Sequence, residues 1–174
     1  MQLERPFLVL KLALPKLIGT DRNPEETEER VLKRNRDLLK KEMLRRFKIQ
    51  QNVFLATAEG DQPRLRPVTL IKFQNRFFFA TGSSNAKVKQ IRHNPKTEFC
   101  LMFGRKGSRG TIRAECIATF IMDKKTKANV FDNVPLFHEF WETPEDPSYV
   151  LIELKPFGFE YYQPGNKEAI QVKP

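Results

Sequence analysis

Short runs of β-branched, aromatic and other apolar residues follow one another from residue 53 to residue 121, with Gly, Asn, Asp or Pro between them. Short runs bounded by turn residues are typical of strands rather than of amphipathic helices. We therefore predict strands at residues 53–58, 64–73, 77–81, 97–103, 111–121, 149–154 and 157–162. Tight turns are expected at Glu59-Gly60-Asp61 and Gln74-Asn75-Arg76, and a longer loop over residues 104–110.

Helices are predicted on either side of these strands. Apolar residues recur at helical spacing from Val31 to Phe47, which predicts a helical segment over residues 24–48. A second helix follows Ser84, a favourable N-cap residue, and ends at Asn94 because the residue before a proline avoids the helical region. A third helix is predicted over residues 124–131.

Many hairpin-linked strands and few helices predict a mainly β fold, either a barrel or a sandwich with flanking helices. The apolar face of the strand at residues 111–121 contains Ala114, Cys116 and Ala118, and such small residues suit the crowded interior of a small β-barrel. A chain of 174 residues with 40% hydrophobic content can bury one core, so we expect one domain over residues 24–174.

Residues 1–23 are interpreted as an N-terminal arm. The apolar stretch PFLVLKLALPKLIG is interrupted by Lys11, Pro15 and Lys16, lacks a following small-residue cleavage site and is too short to span a bilayer. We expect the arm to pack on the domain or on a partner subunit. Cys100 and Cys116 both fall in predicted strands and are interpreted as buried thiols, so we expect a cytoplasmic protein.

The net charge of +10 leaves two interpretations open: a nucleic-acid or membrane-surface binder, or a solvated surface with one local anion site. No Asp or Glu occurs between Gln62 and Thr97, and the interval carries eight cations. They are Arg64, Arg66, Lys72, Arg76, Lys87, Lys89, Arg92 and Lys96. We expect this segment to be apolar on one face and cationic on the other, which favours a local anion site over nucleic-acid or membrane binding.

Lys87 lies at a position where a cation is normally unfavourable. Counted from a Ser84 cap, it is the third helical residue, and a cation there opposes the helix dipole at a cost of roughly 0.3–1 kcal/mol. A bound anion would reverse that cost, because free backbone N–H groups and the ammonium would hold it together. Arg66 adds a fork of donors that suits phosphate oxygens. The simpler alternative is that Lys87 points into solvent.

Three segments resemble one known family. LATAEGDQPRLRPV, FFFATGSSNAKVKQIRHNP and TIRAECIATF are similar to the FMN-binding split-barrel proteins related to pyridoxamine 5′-phosphate oxidase, over roughly residues 35 to 163. The resemblance implies a split barrel of six or seven strands, a homodimer, and FMN bound at the subunit interface.

The resemblance also implies a set of cofactor-binding residues. Arg66 and Lys87 match the positions that hold the phosphate, with Ser84 assisting. The remaining matched positions, of which Val68 and Thr69 lie beside the isoalloxazine ring, are Pro67, Val68, Thr69, Ala80, Thr81 and Thr111. Thr111 stands where the vitamin-making oxidases have a glutamine, and Ala86 replaces an arginine that they use on the phosphate. Their C-terminal arginine/histidine substrate motif is absent, which argues against oxidation of pyridoxamine phosphate itself.

The expected function is an FMN-dependent oxidoreductase that acts on a small molecule, with NAD(P)H as a possible electron donor. Three alternatives stay open: deazaflavin or haem in place of FMN, a non-catalytic flavin- or haem-binding or sensing protein of the same fold, and a basic nucleic-acid or membrane-surface protein with an empty barrel. His138 could serve as a haem ligand, although a packed structural histidine is more common. The sequence singles out no catalytic residue and no metal site.

Overall fold

The chain consists mainly of antiparallel strands. The computed structural model describes residues 28–174, so the predicted arm and the first residues of the predicted N-terminal helix lie outside the described residues. The elements in chain order are α1 (Glu28–Arg45), β1 (Gln50–Glu59), β2 (Gln62–Phe73), β3 (Arg76–Gly82), α2 (Ala86–His93), β4 (Lys96–Arg105), β5 (Ser108–Phe120), α3 (Lys124–Asp132), a 3-10 helix (Pro135–Glu139), β6 (Tyr149–Tyr162) and β7 (Ile170–Val172).

The sheet closes on itself to form a barrel. Its strand order is β3-β2-β1-β4-β5-β6-β7, and a further pairing between β3 and β6 joins the two ends of the six-stranded part. β7 extends the sheet beyond this ring by pairing with the C-terminal end of β6. Closure removes the free edges that an open sheet would expose. The prediction of a mainly β barrel with flanking helices is confirmed.

Several connections are tight hairpins. β1 and β2 are joined by Gly60 and Asp61, and Gly60 adopts a positive φ of 59°. Gln74 and Asn75 between β2 and β3 have φ values of 49° and 59°, as the twist-matched two-residue hairpin turn requires. The prediction of a loop over residues 104–110 is wrong. β4 continues to Arg105 and β5 begins at Ser108, so only two residues connect these strands.

β6 is one continuous strand of 14 residues, so the prediction of two strands separated at Pro156 is wrong. Its pairing with β5 shifts register between Glu115 and Cys116, where one extra β6 residue is accommodated. A β-bulge of this kind lets a strand pass through a proline, which cannot donate to the ladder. The long strand can therefore pair with β3 at one end and β7 at the other.

Two hydrophobic clusters pack against the barrel wall, one on the inside and one on the outside. The larger fills the interior and includes Leu55, Leu70 and Ile112, and the smaller packs α3 and the 3-10 helix against the outside through residues such as Ile71 and Phe131. Both faces of β2 are consequently covered in part by apolar groups, so the expectation of an apolar face opposite a purely cationic one is wrong. No helix within residues 28–174 has the length and apolar character needed to span a membrane.

Candidate functional site

Arg66 reaches from β2 into a group of neutral oxygen atoms at one end of the barrel. Its guanidinium donates to Oγ1 of Thr57 at 2.6 Å, to Oε1 of Gln90 at 2.9 Å and to the carbonyl of Leu55 at 3.4 Å. Thr57 lies on β1 and Gln90 on α2, and both side chains are buried. These acceptors hold the guanidinium in place without cancelling its charge.

Lys87 brings a second cation to the same place. It is half-buried on α2, and its Nζ donates to Oγ1 of Thr81 at 2.9 Å. Burial lowers the pKa of Lys87, and the nearby charge of Arg66 lowers this pKa further. The pKa of Arg66 is also lowered, first by burial and then by the charge of Arg64. The two cations therefore repel each other, which is the electrostatic setting that favours a bound anion.

Two of the other six cations of the acid-free interval have carboxylate partners from outside that interval. Arg64 forms an ion pair of 2.9 Å with Glu59, and Arg76 forms one of 2.8 Å with Glu153. Among the described residues, by contrast, neither Arg66 nor Lys87 pairs with a carboxylate. The segment that lacks acids in sequence therefore has some acidic neighbours in the folded chain. Within residues 28–174, Arg66 and Lys87 form no ion pair with them.

The start of α2 differs from the prediction. The helix begins at Ala86 with Asn85 in the N-cap position, so the assignment of Ser84 as N-cap is wrong. The Asn85 side chain donates to the carbonyl of Gly82 at 3.2 Å and caps no helical N–H group. The first-turn N–H groups are thus left without a capping side chain, next to Lys87, which is the second helical residue.

The other predicted site residues are distributed over several surfaces. Thr81 contacts Lys87, and Val68 lies on the same face of β2 as Arg66, half-buried against the interior cluster. Pro67 and Thr69 occupy the opposite face, where the Thr69 hydroxyl lies 3.3 Å from Oδ1 of Asn52.

Three predicted positions, all of them in the described part of the chain, form no hydrogen bond with Arg66 or Lys87. Ala80 packs against the outer cluster, and Ser84 is exposed. Thr111 lies on β5, which β1 and β4 separate from β2. Within one chain, the structure thus brings together Arg66, Thr81 and Lys87, while Ser84 directly precedes the N-cap residue of α2 and Thr111 lies on a strand that two others separate from β2.

Thr57 and Gln90 were missed by the sequence analysis. Each is a polar residue at a buried position of an otherwise apolar pattern, with 4% and 5% of its surface exposed. That mismatch between chemistry and burial is the signal that could have identified them, but it requires knowing which face of each element is inside.

Neither histidine contributes to this site. His93 is exposed at the end of α2. His138 is exposed in the 3-10 helix, and its ring packs edge-to-face with that of Phe131 at a centroid distance of 4.5 Å. Within residues 28–174, no group of three or more His, Cys, Asp or Glu side chains could hold a metal ion.

The model of the pyridoxamine 5′-phosphate oxidase family matches residues 39–163 of this chain. The chain belongs to the pyridoxamine 5′-phosphate oxidase family. Arg66, Thr81 and Lys87 all fall within the matched region, as do the barrel strands β1 to β6. No curated protein matches the sequence significantly.

Solved structures that resemble the chain share its split-barrel fold. A NimC/NimA family protein from Clostridium acetobutylicum has a TM-score of 0.65 and 21% identity, covering 77% of this chain and 91% of that one. General Stress Protein 26 from Bacillus anthracis has a TM-score of 0.63 and 24% identity, covering 78% and 98%. A heme binding protein from Mycobacterium smegmatis has a TM-score of 0.60 and 10% identity, covering 72% and 53%. The predicted split barrel is confirmed.

Proposed function

We propose that this family member binds FMN, with the phosphate held between Arg66 and Lys87, and works as a flavin-dependent oxidoreductase on a small molecule. The observation that supports the proposal is the pair of half-buried cations whose protein partners are neutral oxygens. Such an arrangement is costly in the free protein, since burial disfavours both charges, and a neighbouring cation disfavours each of them further: Arg64 acts on Arg66, and Arg66 acts on Lys87. A bound anion would remove that cost.

The donor set suits a phosphate monoester in particular. A phosphate group carries about −1.5 to −2 charges at neutral pH and three strong acceptor oxygens. The planar guanidinium of Arg66 can present two parallel donors, the ammonium of Lys87 acts as a compact charge, and the uncapped first turn of α2 adds backbone N–H groups. Two cations therefore match the charge of one phosphate.

A flavin supplies the redox chemistry once it is bound, and the residues of this chain bind and orient it. Arg66, Thr81 and Lys87 lie on β2, β3 and α2, so three elements fix the position of the cofactor tail. We propose NAD(P)H as the electron donor. Pyridoxamine phosphate is not proposed as the substrate, because the family resemblance places Ala86 where the vitamin-making oxidases have a phosphate-binding arginine.

We further propose that the protein is a homodimer whose interface adjoins this site. On the outward face of β2, β1 and β4, a strip of apolar side chains includes Leu65, Pro67, Phe54 and Met102. Leu65 is 69% exposed, Met102 54% and Phe54 43%, which is unusual for neighbouring apolar residues on a monomeric surface. Pro67 is the chain neighbour of Arg66, so a second copy on this strip would lie against the phosphate site.

The interface can be tested by placing a charge on the strip. Leu65→Arg should shift the protein from dimer to monomer in analytical ultracentrifugation, because a guanidinium would be buried without a partner. Met122→Arg is the matched control, since Met122 is 83% exposed in the segment between β5 and α3. A monomeric wild type, or a dimer that Leu65→Arg leaves intact, would contradict this interface.

The cofactor site can be tested by flavin titration of neutral variants. Lys87→Met and Arg66→Met should each weaken FMN binding by about 10- to 150-fold, the equivalent of one charge-assisted contact of about 1.5–3 kcal/mol. Lys89→Met removes an exposed cation from the same helix and should leave FMN affinity unchanged. If both site variants bound FMN as tightly as the control, the phosphate would lie elsewhere.

A non-catalytic flavin- or haem-binding protein of the same fold is the second candidate, favoured by the heme binding protein among the structural neighbours. Mass spectrometry of the co-purifying chromophore separates FMN from deazaflavin, and a Soret band would indicate haem. Anaerobic bleaching of the bound flavin by NADH or NADPH would support the enzyme, whereas a flavin that neither donor reduces would favour binding without catalysis.

A further inference from the structure

Gln90 joins three parts of the phosphate site from a buried position on α2. We propose that Gln90 is a positioning residue that fixes the guanidinium plane of Arg66 while leaving its charge available to the ligand. This inference rests on the proposed binding of a phosphate-bearing flavin at Arg66. Gln90 then helps to determine how strongly the protein prefers flavins that carry a phosphate over flavins that do not.

The hydrogen bonds of Gln90 define the orientation of its amide. Oε1 accepts from the Thr57 hydroxyl at 2.7 Å and from Nη2 of Arg66 at 2.9 Å, and Nε2 donates to Oε2 of Glu59 at 3.5 Å. The Thr57 oxygen in turn accepts from Nη1 of Arg66 at 2.6 Å. Two nitrogens of the guanidinium are therefore held by two neutral oxygens, and these define its plane.

The neutrality of the amide is the important property. Glutamate has nearly the same shape as glutamine, but its carboxylate would form an ion pair with Arg66, as Glu59 does with Arg64 at 2.9 Å. A ligand phosphate would then compete with a resident carboxylate and face one uncompensated cation instead of two. An amide supplies the same acceptor geometry without that competition.

Gln90 is also placed near Lys87 by the geometry of α2. It follows Lys87 by three positions on α2, and residues at that spacing lie on the same side of a helix. Burial leaves 5% of Gln90 exposed, so its rotamer is restrained by packing as well as by hydrogen bonds. Displacement of this amide should therefore alter the phosphate contacts and leave the rest of the flavin site intact.

The test compares Gln90→Glu with wild type in the full chain, using FMN and riboflavin in parallel titrations. Gln90→Glu should lower the ratio of FMN affinity to riboflavin affinity by at least about 10-fold, as expected for the loss of one charge-assisted phosphate contact. Riboflavin affinity should change by less than about threefold. Gln50→Glu introduces the same chemical change at an exposed position of β1 and should preserve the wild-type ratio.

A second variant separates charge from packing. Gln90→Met keeps a similar volume and stays neutral, so it should lose the positioning of Arg66 but retain its charge, giving a ratio between those of wild type and Gln90→Glu. The difference in this ratio between Gln90→Glu and wild type, compared at the same pH, should also shrink at acidic pH, when the introduced carboxyl becomes protonated, whereas a purely structural defect would leave the difference unchanged. An unchanged ratio in Gln90→Glu would overturn the inference, as would equal losses in both variants.

Inorganic phosphate provides a readout that does not depend on FMN. Phosphate should raise the melting temperature of wild type and of Gln50→Glu, but raise that of Gln90→Glu much less. If wild type responds to phosphate and Gln90→Glu does not, while neither binds FMN, the proposed cofactor is wrong and the positioning role stands. If wild type binds FMN and both Gln90 variants match it in every readout, the positioning role alone is wrong.

Discussion

Raising the pH should release FMN through deprotonation of Lys87. Burial and the charge of Arg66 hold the pKa of Lys87 below its usual value, so the ammonium is lost at a lower pH than from an exposed lysine. A bound phosphate favours the charged form and would raise this pKa. The contribution of Lys87 to FMN affinity is therefore fully present below the pKa of Lys87 in the free protein and is lost as the pH rises through it.

The size of the effect follows from the contacts of the ammonium. Nζ of Lys87 has three donors, of which one is used by Oγ1 of Thr81 at 2.9 Å, so two remain for a ligand. Loss of one charge-assisted bond costs about 1.5–3 kcal/mol, which corresponds to about 10- to 150-fold in affinity. On the acidic side, affinity should fall below about pH 6, where the phosphate loses its second charge.

The assay is fluorescence titration of FMN and riboflavin from pH 5 to about pH 10.5. The ratio of the two affinities removes any contribution from the isoalloxazine ring, which both ligands share. Lys87→Arg should keep the ratio high at alkaline pH, because a guanidinium remains charged throughout this range. A ratio that stays constant up to pH 10.5, or one that falls equally in Lys87→Arg, would refute the assignment of Lys87 to the phosphate.

Two further predictions concern stability. Glu153→Gln should lower the free energy of unfolding by about 1.5–3 kcal/mol at pH 7, since the buried carboxylate forms two 2.8 Å bonds with Arg76. Arg76 lowers the pKa of Glu153, so the ion pair contributes to stability above about pH 4. The difference in stability between wild type and Glu153→Gln should therefore shrink as the pH falls further. Equal stability of the two proteins at pH 7 would contradict the reasoning. Gly104→Ala should lower the free energy of unfolding in urea by about 1–3 kcal/mol more than Gly107→Ala does. Both glycines have positive φ values, 93° and 84°, so the backbone strain is similar in the two variants. The new Cβ at residue 104 would overlap the Ser108 carbonyl, whereas the new Cβ at residue 107 would contact nothing. Equal losses would show that backbone conformation alone determines the cost.

The strands that end in short turns could be predicted because their signals are local. Alternating burial in β5, with Ile112 and Cys116 inside and Arg113 outside, follows directly from the period of two in a strand. The stop of α2 before Pro95 likewise depends on one neighbouring residue. The continuity of β6 could not be predicted, because a bulge opposite Glu115 and Cys116 depends on the partner strand.

The proposed cofactor site likewise combines local and tertiary contributions. The interval that contains Arg66 and Lys87 stands out in the sequence because it lacks acids, and the resemblance to a family assigned a ligand to these two of its eight cations. The acids that neutralise Arg64 and Arg76, however, come from Glu59 and Glu153 outside that interval. Which cations stay unpaired is therefore a property of the folded chain.

The sequence by itself determined the class of fold, the position of most turns and the presence of a strongly basic segment, because propensity, periodicity and formal charge act over a few neighbouring residues. Tertiary structure alone decided that Gln90 and Thr57 would surround Arg66, although they come from α2 and β1. Barrel closure and the packing of α2 bring these distant positions within hydrogen-bonding distance. The balance between burial cost and repulsion at Arg66 and Lys87 exists only once that packing is complete.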